Sequence, residues 1–341
     1  MFDELEAANA HRVIVTRDAA SGLRAVTAID SVALGPGFGG IRTMAYPSTA
    51  AALVDAQKLA AAMTLKCAVA GLPAGGAKTV VIDHPGMNRA EAFRRLGRYI
   101  QDLGGLYRCA GDLGTTAEDL GHVAEFTGYV NTTGEQLGTS TGIGFVNCIR
   151  ACADHRGLGG LQGLKVAIQG CGLIGAGVAR MLHAAGAILI VADVSAARAQ
   201  SLANELGASA VAADAIFTQD VDIIAPCAVG NVISPEVTAA LKAWGVCGGA
   251  NNQLTSDSVA ADLAARGILY VPDFLASAGA VIDGVSVSLP GGDSAEQRLA
   301  AMYDTARLIL READAIGTTT TEVATRIARD RIEAGTQTYR A

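Results

Sequence analysis

The chain of 341 residues is longer than one ordinary core requires and suits two domains. Its net charge of −7, without a basic run, argues against nucleic acid or an anionic membrane surface as the main partner. Half of it is apolar, only 4 % is aromatic and 41 residues are glycine, the balance of a tightly packed α/β protein.

No apolar stretch reaches the roughly 20 residues of a membrane-spanning helix, and the N-terminal MFDELEAANAHR is charged where a leader would be apolar. A cytoplasmic location is expected. Seven scattered cysteines with no CxxC pair read as buried thiols. Five widely separated histidines make a metal site unexpected.

In chain order, RVIVTR (12–17) and RAVTAID (24–30) predict strands around a turn at Ser21-Gly22. Leu53, Ala56, Leu59 and Met63 recur at helical spacing. TVVID (79–83) predicts a buried strand. Asn88, with Glu91 three residues on, predicts a helix start, and Phe93, Leu96, Ile100 and Leu103 continue one face. From about residue 140 short apolar runs follow one another: KVAIQ (165–169), ILIVAD (188–193), DIIA (222–225), GVCGGA (245–250) and ILYV (268–271). Helical patterns between the first of these imply a parallel, doubly wound sheet. The tail, 295–340, reads as two helices broken near Gly317.

Strand 165–169 runs into Gly170-Cys171-Gly172-Leu173-Ile174-Gly175 and then a helical pattern to about His183. Gly170 permits a tight turn, Gly172 a close approach of a pyrophosphate, and Gly175 close packing of helix on strand. The helix N-terminus offers N–H groups and its positive dipole end. Asp193, at the end of the next strand, is placed to accept from the ribose hydroxyls and to repel a 2′-phosphate, so NAD is expected over NADP. A glycine turn that merely packs, or a flavin site, are the alternatives.

Only five residues are lysine, yet Lys66 and Lys78 lie twelve apart in one apolar, glycine-rich stretch. Lysine, unlike arginine, is able to lose its proton near neutrality when desolvated or placed beside another cation. Asp112, in RCAGDLGTT, precedes a helix opened by Thr115 or Thr116. Read alone, both lysines also suit snorkelling positions, and Asp112 a turn. Gly138-Thr139-Ser140-Thr141-Gly142 matches a hydrolase elbow, but NTTGEQL before it is a poor strand and no late histidine follows.

Several ordered motifs resemble the leucine/phenylalanine/valine dehydrogenase family over about residues 20–310: GPGFGGIR (35–42), MTLK (63–66), GLPAGGAK (71–78), GDLGT (111–115), the dinucleotide loop, APCA (225–228), GANNQL (249–254) and PDF (272–274). The resemblance implies an α/β protein of two domains with a cleft between them. Residues 1–138 would bind substrate and dimerise, 139–317 would form a Rossmann-type NAD domain, and the last helix, about 318–341, would pack on the first. It implies that Lys66, helped by the backbone around Gly39 and Gly40, holds a substrate carboxylate. Lys78, its pKa depressed by burial and by Lys66 beside it, would be the base that activates water, and Asp112 the group that exchanges a proton with the amine. Thr141 and Asn251 would touch the nicotinamide end or the substrate amine, with Asn251 counted among the substrate-binding as well as the cofactor-binding residues, and Cys227 and Ala228 would line the nicotinamide end. Phe38, Ala110, Val281 and Gly284 would line the side-chain pocket, where the lack of charge fits an apolar substrate and Gly284 leaves room for an aromatic one.

The expected activity is therefore reversible NAD-dependent oxidative deamination of a branched-chain or aromatic L-amino acid by a homo-oligomer. Three departures stand near the expected cleft: Gly111 before Asp112, Ser277 where the family usually has Asn, and a shortened GEQLGTST before Thr141. They keep open an altered substrate or reaction, or a non-catalytic NAD sensor.

Overall fold

The computed structural model describes residues 10–132, 137–289 and 291–340. The N-terminal residues before 10 and Gly134–Gln136 of the shortened segment lie outside the described residues. The chain divides into two compact units: one within Met1–Glu135, Gly284–Gly292 and Ala328–Ala341, the other within Gln136–Asp283 and Asp293–Ile327.

In the first unit, β1 (Arg12–Asp18) and β2 (Leu23–Ile29) form the expected hairpin, paired antiparallel. After β3 (Gly37–Met44) comes α1 (Thr49–Val69), opened by Ser48, whose side chain accepts from the Ala51 N–H. β4 (Gly75–Ile82) follows, then α2 (Arg89–Asp102), opened by Asn88 as the sequence suggests. β5 (Tyr107–Gly111) and α3 (Ala117–Ala124) complete the succession. The sheet order is β1-β2-β4-β3-β5. β4 is antiparallel to β2 and parallel to β3, and β3 is parallel to β5. Both faces are covered. Phe93, Leu96 and Ile100 of α2 join Ile29, Ile41 and Tyr107 in one core cluster, and Ala52, Ala56 and Ala60 of α1 join Val26 and Val80 in another.

β3 and β5 were not legible as strands. GPGFGGIRTM and YRCAG carry glycine where β-formers are expected. The glycines serve close approach instead. A Cβ on Gly39 would stand 1.6 Å from the Ala77 carbonyl, and one on Gly76 2.1 Å from the Thr64 nitrogen. Strand β3, strand β4 and helix α1 therefore pack closer than side chains permit.

The second unit begins with α4 (Leu137–His155). β6 (Lys165–Gln169), α5 (Leu173–Ala184), β7 (Ile188–Ala192), α6 (Ala196–Leu206), β8 (Ser209–Ala210) and β9 (Ile223–Pro226) follow. Then come α7 (Pro235–Ala240), β10 (Gly245–Val246), α8 (Ser258–Ala265), β11 (Leu269–Tyr270), α9 (Asp273–Ala276) and α10 (Gly279–Ser288), whose residues from Gly284 on belong to the first unit. The strand order is β8-β7-β6-β9-β10-β11, with every pairing parallel. The order reverses between β6 and β9, the point at which doubly wound sheets bind ligands.

The tail forms α11 (Ala295–Ile316) and α12 (Thr320–Arg340), broken by Gly317 in a left-handed cap. The end of α12 returns to the first unit, where Arg331 donates to the Ala68 and Val69 carbonyls at the C-terminus of α1. Among the described residues no helix is long and apolar enough to cross a membrane.

Candidate active site

Lys66 and Lys78 do not snorkel. They are only 9 % and 6 % exposed, on α1 and β4. Lys78 Nζ lies 2.9 Å from Asp112 Oδ2, and Arg42 Nε donates to that same oxygen at 2.8 Å. Arg42 also reaches Asp55 Oδ2 at 3.3 Å, which accepts from the Tyr46 hydroxyl at 2.5 Å.

The sheet places these groups. β3 lies between β4 and β5, with Arg42 opposite Val80, two residues beyond Lys78 on the same face of β4. Asp112 leaves the end of β5, where Gly111 stands opposite Ile41. A Cβ on Gly40 would meet the Asp112 Cβ at 2.8 Å, so glycine there makes room for the carboxylate-bearing loop. The loop is pinned on both sides. The Thr43 N–H donates to the Leu113 carbonyl at 2.9 Å, the Thr115 hydroxyl donates to the Ile41 carbonyl at 2.6 Å, and Thr116 opens α3 in a reciprocal cap with Asp119.

The electrostatics follow from that packing. Burial pushes the Lys78 ammonium below the ordinary lysine range against the pull of Asp112, and Arg42 pushes the same way. Beside the Lys66 that the resemblance implies, Arg42, across Asp112, adds like-charge repulsion on Lys78. Burial would raise Asp112, but Lys78 and then Arg42 outweigh it and hold the carboxyl below its usual range. The site thus keeps a fixed anion beside an amine with a weakened hold on its proton.

Phe38, Gly39 and Gly40 are buried on β3, and Ala110 is half-buried on β5. Val281 and Gly284 lie on α10, and among the described residues a Cβ on Gly284 would find only Asn131, 3.8 Å away. Gly111 is exposed at the end of β5, and a Cβ there would lie 3.3 Å from a Leu120 methyl.

In the second unit, the glycine-rich loop Gly170–Gly175 joins β6 to α5 as the spacing predicts. Gly170 has φ +99°, and a Cβ there would strike Ala228. A Cβ on Gly175 would lie 1.8 Å from the Gly170 carbonyl and 3.3 Å from the Cys227 Cβ. Gly172, at the N-cap of α5, has open space around it, while Leu173 beside it is exposed. Ile174 lies against Gly249, 3.0 Å from that glycine's notional Cβ. The Asp193 carboxylate accepts from the Cys171 and Ser195 N–H groups, both at 2.8 Å, and Arg198 lies 3.4 Å from each oxygen. Those hydrogen bonds and Arg198 outweigh burial and hold Asp193 ionised below the usual carboxyl range.

Thr141 is buried inside α4, against Gly279. Gly138–Gly142 is helical, which removes the strand-to-helix elbow a nucleophilic Ser140 needs. Ser277, the departure from Asn, donates to Asn251 Oδ1 at 3.0 Å and to the Asp273 carbonyl at 2.6 Å, so the shorter side chain still ties Asn251 to α9. A separate cavity of about 810 Å³ in this unit, lined by His155, Ala264, Tyr270, Asp314, Thr320 and Glu322 among others, contains none of the predicted site residues. Arg42, Asp55 and Tyr46 were missed as members of the charged cluster. Arg42 stands inside the GPGFGGIR motif, but nothing local in the sequence points to its partners.

The model of the Glu/Leu/Phe/Val dehydrogenase dimerisation domain matches residues 9–136, and that of glutamate/leucine/phenylalanine/valine dehydrogenase matches 193–289. Leucine dehydrogenase of Bacillus cereus is 39 % identical, covering 97 % of this chain and 93 % of its own. Valine dehydrogenase of Streptomyces albus is 37 % identical over 94 % and 92 % of the two chains. The crystal structure of L-tryptophan dehydrogenase from Nostoc punctiforme superposes with a TM-score of 0.90 at 32 % identity, covering 99 % of this chain and 100 % of that one. With matches over nearly its whole length, a buried Lys78 paired with a half-buried Asp112 in one unit and a glycine-rich strand-to-helix loop at the switch point of the other, the chain belongs to the glutamate/leucine/phenylalanine/valine dehydrogenase family of oxidoreductases.

Proposed function

We propose that this protein catalyses the reversible NAD-dependent oxidative deamination of an apolar L-amino acid, branched-chain or aromatic, to its 2-oxo acid and ammonia. The observation that carries the reading is the buried Lys78 at 2.9 Å from Asp112, a base and a proton carrier within reach of one reacting amine. Lys66 and the Gly39-Gly40 backbone hold the substrate carboxylate. Lys78 takes a proton from the water that attacks the substrate imine, and Asp112 exchanges protons with the departing nitrogen. NAD supplies the hydride acceptor.

The residues present fit that cofactor. The open space over Gly172 and the N-terminus of α5 suit a pyrophosphate, with Gly170, Leu173, Ile174 and Gly175 shaping the turn. Asp193 suits ribose hydroxyls and disfavours a 2′-phosphate, which supports NAD over NADP. Thr141, Cys227, Ala228 and Asn251 form the nicotinamide end. Phe38, Ala110, Val281 and Gly284 present no charge to a substrate side chain, in keeping with relatives named for leucine, valine and tryptophan. Residues 1–138 with the last helix make the substrate and dimerisation domain, and 139–317 the cofactor domain. The protein works as a homo-oligomer in the cytoplasm, a reading supported by the match to a dimerisation domain and by the absence of a spanning helix among the described residues.

Nicotinamide absorbance, with NAD and with NADP, over the standard L-amino acids tests the reading. The expected result is reduction of NAD by one apolar class. Greater activity on glutamate would overturn the substrate assignment. Binding of NAD with no turnover of any amino acid would favour the sensor alternative.

A further inference from the structure

We propose that Arg42 is a positioning residue of this site: braced by Asp55, its guanidinium holds the Asp112 carboxylate in place and keeps it compensated when Lys78 gives up its proton. The proposal rests on the assignment of Lys78 as the base and adds a second pair of side chains to it.

The geometry carries the argument. Lys78 Nζ and Arg42 Nε converge on one oxygen, Asp112 Oδ2, at 2.9 and 2.8 Å. Two cations on one oxygen repel each other, and that repulsion is tolerated only where further negative charge offsets it. Asp55 supplies it from α1, held to Arg42 at 3.3 Å and to the Tyr46 hydroxyl at 2.5 Å. The four charged groups balance while Lys78 is protonated. When Lys78 is neutral, Asp112 still has Arg42 as its partner and is not left as an uncompensated, largely buried anion. Without Arg42, Lys78 would be the only cation on that oxygen and would hold its proton more tightly. The planar guanidinium, with separate N–H groups for Asp112 and Asp55, is suited to bridging two carboxylates in a fixed geometry.

Elements packed against β4 present other charged groups as well: Lys66 further along α1, and Asp30 at the end of β2, which accepts from the Thr64 hydroxyl at 2.5 Å. Arg42 and Asp55 act on Lys78 with opposite sign, so replacing each moves Lys78 in opposite directions.

Because the chain has only five lysines, protein labelled with 13C at lysine Cε gives five side-chain signals, and Lys78→Arg identifies the one from position 78. Arg42→Gln is expected to raise the pH midpoint of that signal by about one unit or more, and Asp55→Asn to lower it. Arg42→Lys, which keeps the charge, stays near the parent value. In deamination assays the acid limb of the kcat/KM profile moves in the same directions, and Arg42→Gln lowers kcat more than it raises KM. An unmoved Lys78 midpoint in Arg42→Gln with only a lower Tm would make Arg42 a structural brace and overturn the proposal, as would shifts of one sign in both variants. If Arg42→Gln does not fold, Asp55→Asn alone decides, since an unmoved or raised midpoint there also overturns it. Because the titration needs no substrate, opposite shifts without turnover would leave the proposal standing and remove the deamination reading instead.

Discussion

The two units build their sites from different materials. In the second, the proposed cofactor loop is backbone: three glycines in six residues, a helix N-terminus and one carboxylate 23 positions on from Gly170. In the first, the site is side-chain charge. Arg42, Asp55, Lys78 and Asp112 come from β3, α1, β4 and the end of β5 and meet within hydrogen-bonding distance. A backbone site fails when a Cβ is added, because its function is space. A charge site fails when a proton affinity changes, because its function is the balance among groups.

The largest test of that contrast is Lys78→Ala, which removes the proposed base. Amino-acid-dependent NADH formation is expected to fall on the order of 10³-fold or more, while NAD binding by calorimetry stays within about twofold of the parent, on the reading that the two sites are built separately. Loss of NAD affinity together with turnover would break the comparison.

Next are Gly175→Ala and Gly172→Ala. The first drives a Cβ into the Gly170 carbonyl at 1.8 Å and is expected to cost about 1–3 kcal/mol of stability along with cofactor affinity. The second adds a Cβ to open space, so its Tm should hold while NAD affinity falls. Equal Tm losses in the pair would show that Gly172 serves packing and not approach.

The charge site makes a smaller, pH-dependent prediction. Asp112 is held below its usual pKa by Lys78 and Arg42 against the effect of burial. Its unfolded form therefore binds a proton at a pH where the native form does not. The stabilisation is present above the ordinary carboxyl range and is lost as pH falls through the native value. Lys78 has the opposite chemistry. Its native pKa is lowered mainly by burial, so the penalty for burying it shrinks as pH rises through the native value. Urea unfolding of Asp112→Asn is expected to show a flatter acid limb than the parent; parallel curves would mean the carboxylate contributes no linkage.

The smallest effect is expected from Thr116→Ala, which removes the reciprocal cap of α3 just after the Asp112 loop. It should lower stability by about 1 kcal/mol and leave kcat nearly unchanged, with the loop still pinned by the Thr43 N–H and Leu113 carbonyl. A kcat loss greater than about tenfold would place the cap in the positioning of Asp112.

By itself the sequence determined whatever depends on neighbours along the chain. The β1–β2 hairpin, the helix opened by Asn88, the break at Gly317 and the loop from Gly170 to Gly175 are all set by turn residues, caps and periodicity within a few positions. It also marked Lys66, Lys78 and Asp112 by their chemistry, as rare lysines and a lone carboxylate in glycine-rich surroundings. Only the tertiary structure decided how those residues meet. β3 and β5 read as glycine-rich loops until their pairing with β4 and with each other shows the glycines to be points of close approach. Arg42 and Asp55 are 13 residues apart, and Arg42 and Asp112 70, so their convergence depends on strand order and register, which local pattern does not encode. The proton affinity of Lys78 belongs to that second category: it is fixed by burial and by the charges that the folded sheet brings around it.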